Sequence, residues 1–227
     1  MVVVETSTDW LILNKPSGLS VFPRHHDPES DCLLKRLLAE LPTQAQPFPE
    51  GFEGGLAHRL DIPTSGMLIV ARSNAALAHI RSRFTHKEWS KEYLFISAHC
   101  AGWDHQRCSL ALAHHPKSRK KMVAQRYPRT RHRGKWYPAE TRFRYLGALE
   151  VGHLYSATMR SGVMHQIRVH AAEVGIPLLG DLRYGGDPKP DLFEADFALH
   201  HLGLSCSDIK PALIPPPKWW PKSDSAR

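Results

Sequence analysis

The chain has 227 residues, of which 42% are hydrophobic and 23% are charged, and Lys and Arg outnumber Asp and Glu by 30 to 22. This composition is close to that of globular proteins, so it excludes general disorder and predicts a packed core. The net charge of +8 favours an anionic partner; nucleic acid is the commonest large one, and an anionic membrane surface is the alternative.

No run of the sequence approaches the ~20 apolar residues that a membrane-spanning helix needs. The first residues also lack the basic flank and cleavage site of a signal peptide. We therefore expect a cytoplasmic protein.

Cysteine and histidine spacing predicts no metal site. The cysteines form no C-x-x-C pair, which disfavours structural zinc or a disulfide framework and favours reduced thiols, mostly in the interior. They are Cys32, Cys100, Cys108 and Cys206. Adjacent histidines such as His25 and His26 would point to opposite faces of a strand, so their adjacency indicates no site.

The predicted elements of the first part of the chain come in the order strand, helix, loop. The apolar run at residues 10–18 predicts a strand that ends in a turn. Residues 30–41 predict a helix, because five leucines lie on one stripe and Ser30 is a suitable N-cap. Residues 42–57 are rich in Pro and Gly and predict a loop.

The rest of the chain mixes strands and helices. Residues 67–71 predict a short buried strand, and Ser73 is a suitable cap for a helix over residues 74–84. Further strands are predicted at residues 92–97, 140–145, 155–160 and 197–204, and a helix at residues 166–174. The order lacks regular alternation, which favours an α+β fold with a mixed or mainly antiparallel sheet flanked by helices and loops. We expect one domain over residues 1–209 and an irregular tail, rich in Pro, Lys and Trp, over residues 210–227.

The densest group of polar residues lies where a predicted turn leads into the strand at residues 67–71. Its members are His58, Arg59, Asp61, Thr64 and Ser65. Polar groups on a loop at the edge of a sheet often build a site. Asp61 can act as a nucleophile or a general base only as an anion, which a neighbouring Arg favours. These residues fit equally well a turn that Asp61 and Thr64 simply organise.

A second polar group, His165, Gln166 and Arg168, lies at the predicted start of the helix over residues 166–174. A cationic partner for Asp61 could lie there. An ordinary helix start with surface polar groups fits the same pattern.

Several segments, in the same order along the chain, resemble the RluA family of pseudouridine synthases. His58-Arg-Leu-Asp-Ile-Pro-Thr-Ser-Gly66 resembles the family signature H-R-L-D-x-x-T-S-G, and His165-Gln-Ile-Arg-Val-His170 resembles H-Q-I/L-R-V-H. Shorter matches are Asn14-Lys-Pro-Ser-Gly18, Lys91-Glu-Tyr93, Lys120-Lys-Met-Val123, Gly175-Ile-Pro-Leu-Leu-Gly-Asp181, Tyr184-Gly185, and Leu199, His200 and Leu202. Together they cover about residues 8–206.

The resemblance implies a pseudouridine synthase fold, isomerisation of a uridine in ribosomal or transfer RNA, and no metal or cofactor, since the reaction is redox-neutral. It implies that Asp61 is the essential carboxylate, that Arg168 is its paired cation and that Tyr93 packs on the target base. It implies further that Arg59 takes the place of the flipped uridine and that Leu202 lines the pocket. The remaining candidates for substrate contact are His58, Thr64, His165, Gln166, Lys120 and Lys121.

One segment departs from the family pattern. The family usually reads T-G-R-T-H-Q shortly before the arginine that matches Arg168, whereas this chain has Ser161-Gly-Val-Met-His-Gln166. An Arg and a hydroxyl are replaced by Val163 and Met164, so we expect the RNA contacts there to differ.

Residues 117–144 form a strongly basic segment. They contain eleven Lys and Arg against Glu140 alone, interleaved with Tyr127, Trp136 and Tyr137. Such a mixture suits phosphate contacts combined with stacking on unpaired bases; a solvated loop kept basic for solubility is the alternative. Because the chain starts at the region that resembles the catalytic domain, we expect this segment and the active-site face to carry RNA recognition.

Two other functions fit parts of the pattern. The first is a non-catalytic RNA-binding protein that keeps the fold as a chaperone or assembly factor. In either case we expect a monomer. The second is a hydrolase or phosphotransferase with Asp61 as nucleophile. That chemistry normally needs further carboxylates for magnesium, and none stands at Ile62 or Pro63.

Overall fold

The computed structural model describes residues 2–191 and 193–221. Met1, Leu192 and residues 222–227, with the end of the predicted tail, lie outside the described residues. Two compact units are formed. The first contains the described residues up to Trp89 together with His200–Pro217, and the second contains Ser90–Leu199 and the described residues from Lys218 onward.

The described residues form strands and α-helices that we number in chain order. The strands are β1 (Val2–Thr6), β2 (Trp10–Lys15), β3 (Ser65–Ala71), β4 (Ser90–Ser97), β5 (His105–Cys108), β6 (Leu112–His114), β7 (Met122–Ala124), β8 (Arg133–Tyr137), β9 (Thr141–Leu149), β10 (Gly152–Met159) and β11 (Leu199–Ser205). The helices are α1 (Leu33–Glu40), α2 (Asn74–Thr85) and α3 (Gln166–Glu173). Short 3-10 turns cover Pro42–Ala45, Glu53–Gly55 and Leu182–Tyr184. None of these helices combines the length and apolarity required of a membrane-crossing segment.

The strands of the first unit pair in both directions. β1 and β2 are antiparallel, as are β2 and β3, whereas β11 runs parallel to β3 with His200 opposite Ser65. Every residue of β3 is buried, which explains its continuous apolar sequence. The core of this unit consists mainly of Ile12, Met67, Ile69, Leu77, Ile80, Trp89, Leu204, Ile209 and Ile214.

The two helices of the first unit differ in how they begin. Ser73 caps α2 as predicted, because its hydroxyl accepts a hydrogen bond from the backbone N–H of Ala76 at 3.1 Å. The prediction that Ser30 caps α1 is wrong. Cys32 occupies the N-cap position, and the Ser30 hydroxyl instead donates to the carbonyl of Asp27 at 2.6 Å and closes the preceding turn.

The second unit contains two groups of strands. β4, β10, β9 and β5 lie side by side in that order, and each neighbouring pair is antiparallel. β6 is the central strand between β7 and β8. The strands β1, β5, β6, β7 and β8 were not predicted, because each has only three to five residues. In addition, β5 and β8 consist largely of exposed polar residues. β7, β8 and the first part of β9 show that much of the basic segment is paired strand.

The described part of the tail is irregular, and the cysteines are mostly buried thiols. Residues 210–221, the described part of the tail, form neither helix nor strand. The tail is not loose, however, because Ile214 is buried in the core of the first unit and its N–H donates to the Leu202 carbonyl at 2.9 Å. All cysteines are free thiols, and each is buried except Cys100.

Candidate active site

Asp61 opens a tight turn immediately before β3. The backbone N–H of Thr64 donates to the carbonyl of Asp61 at 3.0 Å, and the Thr64 side chain is buried. Asp61 is half-buried and Arg59 is exposed. The glycine of the signature, Gly66, has φ +109°, and a Cβ on it would lie 2.3 Å from the carbonyl oxygen of His201. The signature therefore allows β3 and β11 to approach closely directly behind the turn.

The segment after β2 holds this turn from the other side. The Ser17 hydroxyl donates to the Pro63 carbonyl at 2.6 Å, and the Gly18 N–H donates to the Ile62 carbonyl at 2.9 Å. Each of these bonds joins residues more than forty positions apart, so the backbone around Asp61 is fixed by the fold and not by the turn alone.

Lys15, the last residue of β2, is completely buried beside this turn. Its ammonium group donates to three carbonyl oxygens, those of Pro16 at 2.9 Å, Leu19 at 2.8 Å and Ile62 at 3.1 Å. Burial lowers the pKa of Lys15 to about 7, while the negative charge of Asp61 acts to raise it. The sequence motif contained this lysine, but its role as a buried tether of the Asp61 turn depends on contacts that only the structure reveals.

Replacing Lys15 with Met is expected to lower the free energy of unfolding by about 1–3 kcal/mol, because three buried carbonyls lose a donor. Release of the Ile62 carbonyl should also loosen the turn that carries Asp61. Urea denaturation measures the loss of stability. Lys35→Met is the control, because Lys35 on α1 is partly exposed and makes only a surface ion pair with Glu29; this variant should unfold like wild type. If the two variants were equally stable, Lys15 would not hold the Asp61 turn in place.

His58 is packed into the first unit. Its Nε2 accepts a hydrogen bond from the backbone N–H of Ile69 at 3.2 Å, and its ring centroid lies 5.2 Å from that of Phe84 and 5.9 Å from that of His201. These contacts anchor the start of the Asp61 loop on β3. Leu202 is half-buried on β11.

Arg168 lies in α3 of the second unit and forms a buried ion pair that the sequence did not predict. Its Nε and one terminal nitrogen donate to the two carboxylate oxygens of Asp181 at 2.6 and 2.8 Å, and the two residues are only 5% and 2% exposed. The rings of Tyr184 and Phe197 lie 5.0 and 4.5 Å from the guanidinium carbon. The bidentate bond, together with the two nearby rings, fixes both the position and the plane of the guanidinium.

Tyr184 gathers several predicted site residues of the second unit. Its hydroxyl shares a hydrogen bond of 2.7 Å with Nδ1 of His165 and accepts one from the N–H of Met122 at 2.9 Å. The ammonium of Lys121 lies 5.6 Å from its ring, whereas Lys120 is exposed nearby in sequence. Burial raises the pKa of Tyr184 to about 12, so this hydroxyl stays neutral. His165 adopts a left-handed conformation, φ 55°, at the N-cap of α3.

The side chain of Gln166 is fully engaged by the protein. Its amide nitrogen donates to the Glu140 carbonyl at 2.9 Å and to the Thr141 hydroxyl at 3.1 Å, and its oxygen accepts from the Ser161 hydroxyl at 2.8 Å. The N–H of Val163 donates to the same oxygen at 3.2 Å. We therefore propose that Gln166 shapes the turn that departs from the family pattern, rather than contacting substrate.

Tyr93 is buried on β4, opposite Ala157 of β10. Lys91 shares its face of the strand, and the Lys91 ammonium donates to the Ser161 carbonyl at 2.9 Å. Burial lowers the pKa of Lys91 to about 8. Lys91 therefore holds the first residue of the departing turn, another role that was not predicted. Within that turn Val163 is partly buried and Met164 is exposed.

Two buried histidines make stability depend on pH. His170 shares hydrogen bonds with the Thr141 hydroxyl and the Leu110 carbonyl, both at 2.9 Å, and His200 is held between Ser65 and a carbonyl oxygen. Burial lowers the pKa of both His170 and His200 below the ordinary value of about 6.5.

The free energy of unfolding is therefore expected to fall as the pH drops below about 6.5, because the unfolded state binds protons there that the folded state does not. The contribution is fully present above that pH. Urea titrations between pH 5 and 8 measure the slope, which should shrink in H170Q and stay unchanged in H26Q, whose histidine is exposed. A wild-type slope in H170Q would contradict the assignment.

The predicted site residues divide between the two units. Those of the first unit are His58, Arg59, Asp61, Thr64 and Leu202, and those of the second are Tyr93, Lys120, Lys121, His165, Gln166 and Arg168. The residues that sequence reasoning missed, Lys15, Lys91, Asp181 and Tyr184, all hold one of these in place or hold the turn beside it. Each lies in a segment that resembles the family, but its contacts join different segments of the chain, so the motifs did not reveal these supporting roles.

Solved structures with the same fold confirm the predicted fold class. The structure of human RNA pseudouridylate synthase domain containing 1 superposes with a TM-score of 0.70 at 24% identity, over 92% of this chain and 82% of that one. Human RNA pseudouridylate synthase domain containing 4 gives a TM-score of 0.66 at 20% identity.

Curated relatives are more similar in sequence. Ribosomal large subunit pseudouridine synthase C of Vibrio cholerae is 35% identical over 201 residues, which are 88% of this chain and 58% of the relative. Ribosomal large subunit pseudouridine synthase D of Escherichia coli K12 is 32% identical over 190 residues, 83% of this chain and 53% of the relative. The chain thus spans little more than half the length of these relatives.

The family model described as RNA pseudouridylate synthase matches residues 9–173, a range that includes both Asp61 and Arg168. The match covers most of the chain and agrees with the motif series found in the sequence. The chain therefore belongs to the RNA pseudouridylate synthase family.

Proposed function

We propose that this protein is an RNA pseudouridine synthase that isomerises a uridine in ribosomal RNA of the large subunit, with transfer RNA as the alternative substrate. The observation that carries the proposal is the turn at Asp61. It combines the family signature with a backbone tied down by Lys15, Ser17 and Gly18. The names of the curated relatives favour large-subunit RNA. Such an enzyme would meet its substrate in the cytoplasm, and we propose that it acts there as a monomer.

The reaction breaks the N1–C1′ bond of uridine, rotates the uracil and joins C5 to C1′. The proton on C5 is lost and N1 gains one, so atoms and electrons balance without a redox partner, and we propose that no cofactor takes part. Asp61 is proposed as the carboxylate that attacks the nucleotide or removes a proton. Arg168 is proposed as its cationic partner, as the resemblance implies. The bidentate bond with Asp181 supports this role because it orients the guanidinium.

The target base must leave the helical stack before the reaction, at a cost of a few kcal/mol. We propose that Arg59 fills the vacated space and that Tyr93 packs on the flipped base. Stacking of this kind contributes ~1–3 kcal/mol per base and offsets the cost. The exposed side chain of Arg59, on the loop that carries Asp61, suits this role.

The deciding experiment maps pseudouridine in RNA from a strain that lacks the protein, and from the same strain expressing wild type or Asp61→Asn. Carbodiimide labelling and primer extension cover ribosomal and transfer RNA. A site restored by wild type and not by Asp61→Asn supports the proposal and identifies the substrate. Absence of any dependent site, with RNA binding retained by the purified protein, would favour the non-catalytic binding factor.

A further inference from the structure

Tyr127 is presented to solvent in the loop that joins β7 to β8. With 72% of its surface exposed, it is the most exposed large hydrophobic residue that the structure describes. An aromatic ring in this position contributes little to folding, since most of its surface stays in water. Most of the ring surface is therefore available to a partner.

The loop that carries Tyr127 is locked by its own hydrogen bonds. The Thr130 hydroxyl accepts from the N–H of Tyr127 at 3.0 Å and donates to its carbonyl at 2.8 Å, and the Thr130 N–H donates to the same carbonyl at 3.0 Å. Pro128 restricts the backbone between them. The backbone that carries the ring is thus held in a closed turn, so binding a partner needs to order little more than the side chain.

Both ends of the loop are anchored. Nε of Arg126 donates to the carboxylate of Glu173 at 2.5 Å, and Glu173 is the last residue of α3, the helix that carries Arg168. At the other end the ring of His132 lies 4.2 Å from that of Trp136 on β8. The loop is thereby connected to the helix of a proposed catalytic residue within the second unit.

The surroundings of the ring are cationic. Arg126, Arg129 and Arg131 lie within four positions of Tyr127, and all are exposed. A protein-docking surface normally presents a contiguous apolar patch. A single ring among arginines instead matches the way proteins hold single-stranded RNA, with bases stacked on aromatic rings and phosphates bound by cations.

We propose that Tyr127 is a stacking platform for an unpaired base of the substrate RNA, and that Arg129 and Arg131 bind the phosphates beside it. This inference rests on the proposed function, because it names how the same enzyme recognises its RNA. It gives the basic segment a specific contact with RNA, in addition to a general attraction between its charges and phosphates.

Binding of fluorescent oligoribonucleotides to the full chain tests the inference, with single-stranded and duplex RNA of one sequence compared. Tyr127→Ala should weaken binding of the single strand by about tenfold to a hundredfold and leave duplex binding almost unchanged. Tyr127→Phe, which keeps the ring, should bind as wild type. The double variant R129Q/R131Q should weaken both RNAs and reduce the dependence of affinity on salt. Unchanged melting temperatures would show that all variants fold.

If Tyr127→Ala binds single-stranded RNA as tightly as wild type does, the inference is wrong, even if the protein still forms pseudouridine. If no pseudouridine depends on the protein but Tyr127→Ala still loses single-strand binding, the stacking site stands and the proposed catalysis fails. If the variant keeps RNA binding and loses affinity for anionic phospholipid vesicles, a membrane contact replaces our proposal.

Discussion

Purified Asp61→Asn protein is expected to form pseudouridine at least about a hundredfold more slowly than wild type in single-turnover reactions. A carboxylate that attacks or removes a proton typically contributes a hundredfold to ten-thousandfold, and the neutral amide can do neither. Asn has the same shape as Asp. The hydrogen bonds that Lys15 and Ser17 donate to the turn are accepted by backbone carbonyls, which the substitution does not change, so the fold should persist. Affinity for RNA should be equal or slightly higher, because a negative charge is removed.

Asp9→Asn is the matched control, since it makes the same chemical change at an exposed position of the same unit. It should react at the wild-type rate. If Asp61→Asn retained wild-type activity, Asp61 would not be the catalytic carboxylate. If it lost RNA binding together with activity, the effect would be one of structure and not of chemistry.

Replacing Asp181 with Asn is expected to lower the free energy of unfolding by about 3–5 kcal/mol, because Arg168 keeps its buried charge and loses the bidentate carboxylate. The pair is almost fully buried, so solvent screening reduces the effect little. The activity that remains should also be low, since the guanidinium loses the bonds that orient it. Urea denaturation followed by circular dichroism gives the stability, and single-turnover kinetics at a temperature where the variant is folded gives the activity.

The double variant R168M/D181L separates charge from packing. Removing both partners leaves no unneutralised charge in the interior. We therefore expect the double variant to be more stable than Asp181→Asn and closer to wild type. Its activity should nevertheless be lost if Arg168 serves catalysis. A double variant less stable than Asp181→Asn would show that packing around Arg168, and not the ion pair, dominates the energy.

Elements with a strong local signal were predicted correctly. β3 is a continuous apolar run, and Ser73 begins α2 with a suitable cap, so the residues themselves contain the information. The prediction at Ser30 failed although the same rule was applied, because a neighbouring turn took the hydroxyl. The short strands β5 and β7 form by pairing with β9 and β6, and their own sequences carry too little periodicity to indicate this.

The sequence by itself determined the family, the α+β class and the candidate carboxylate, because the residues of a catalytic motif are close together in the chain. Only the tertiary structure revealed that Lys15 supports the Asp61 turn through the carbonyl of Ile62, and that Asp181 orients Arg168. Such supporting contacts are fixed by burial and by hydrogen-bond geometry between segments that the fold brings together. Burial also decides that a charged side chain must find partners at all, and burial is a property of the folded chain and not of any short stretch of its sequence.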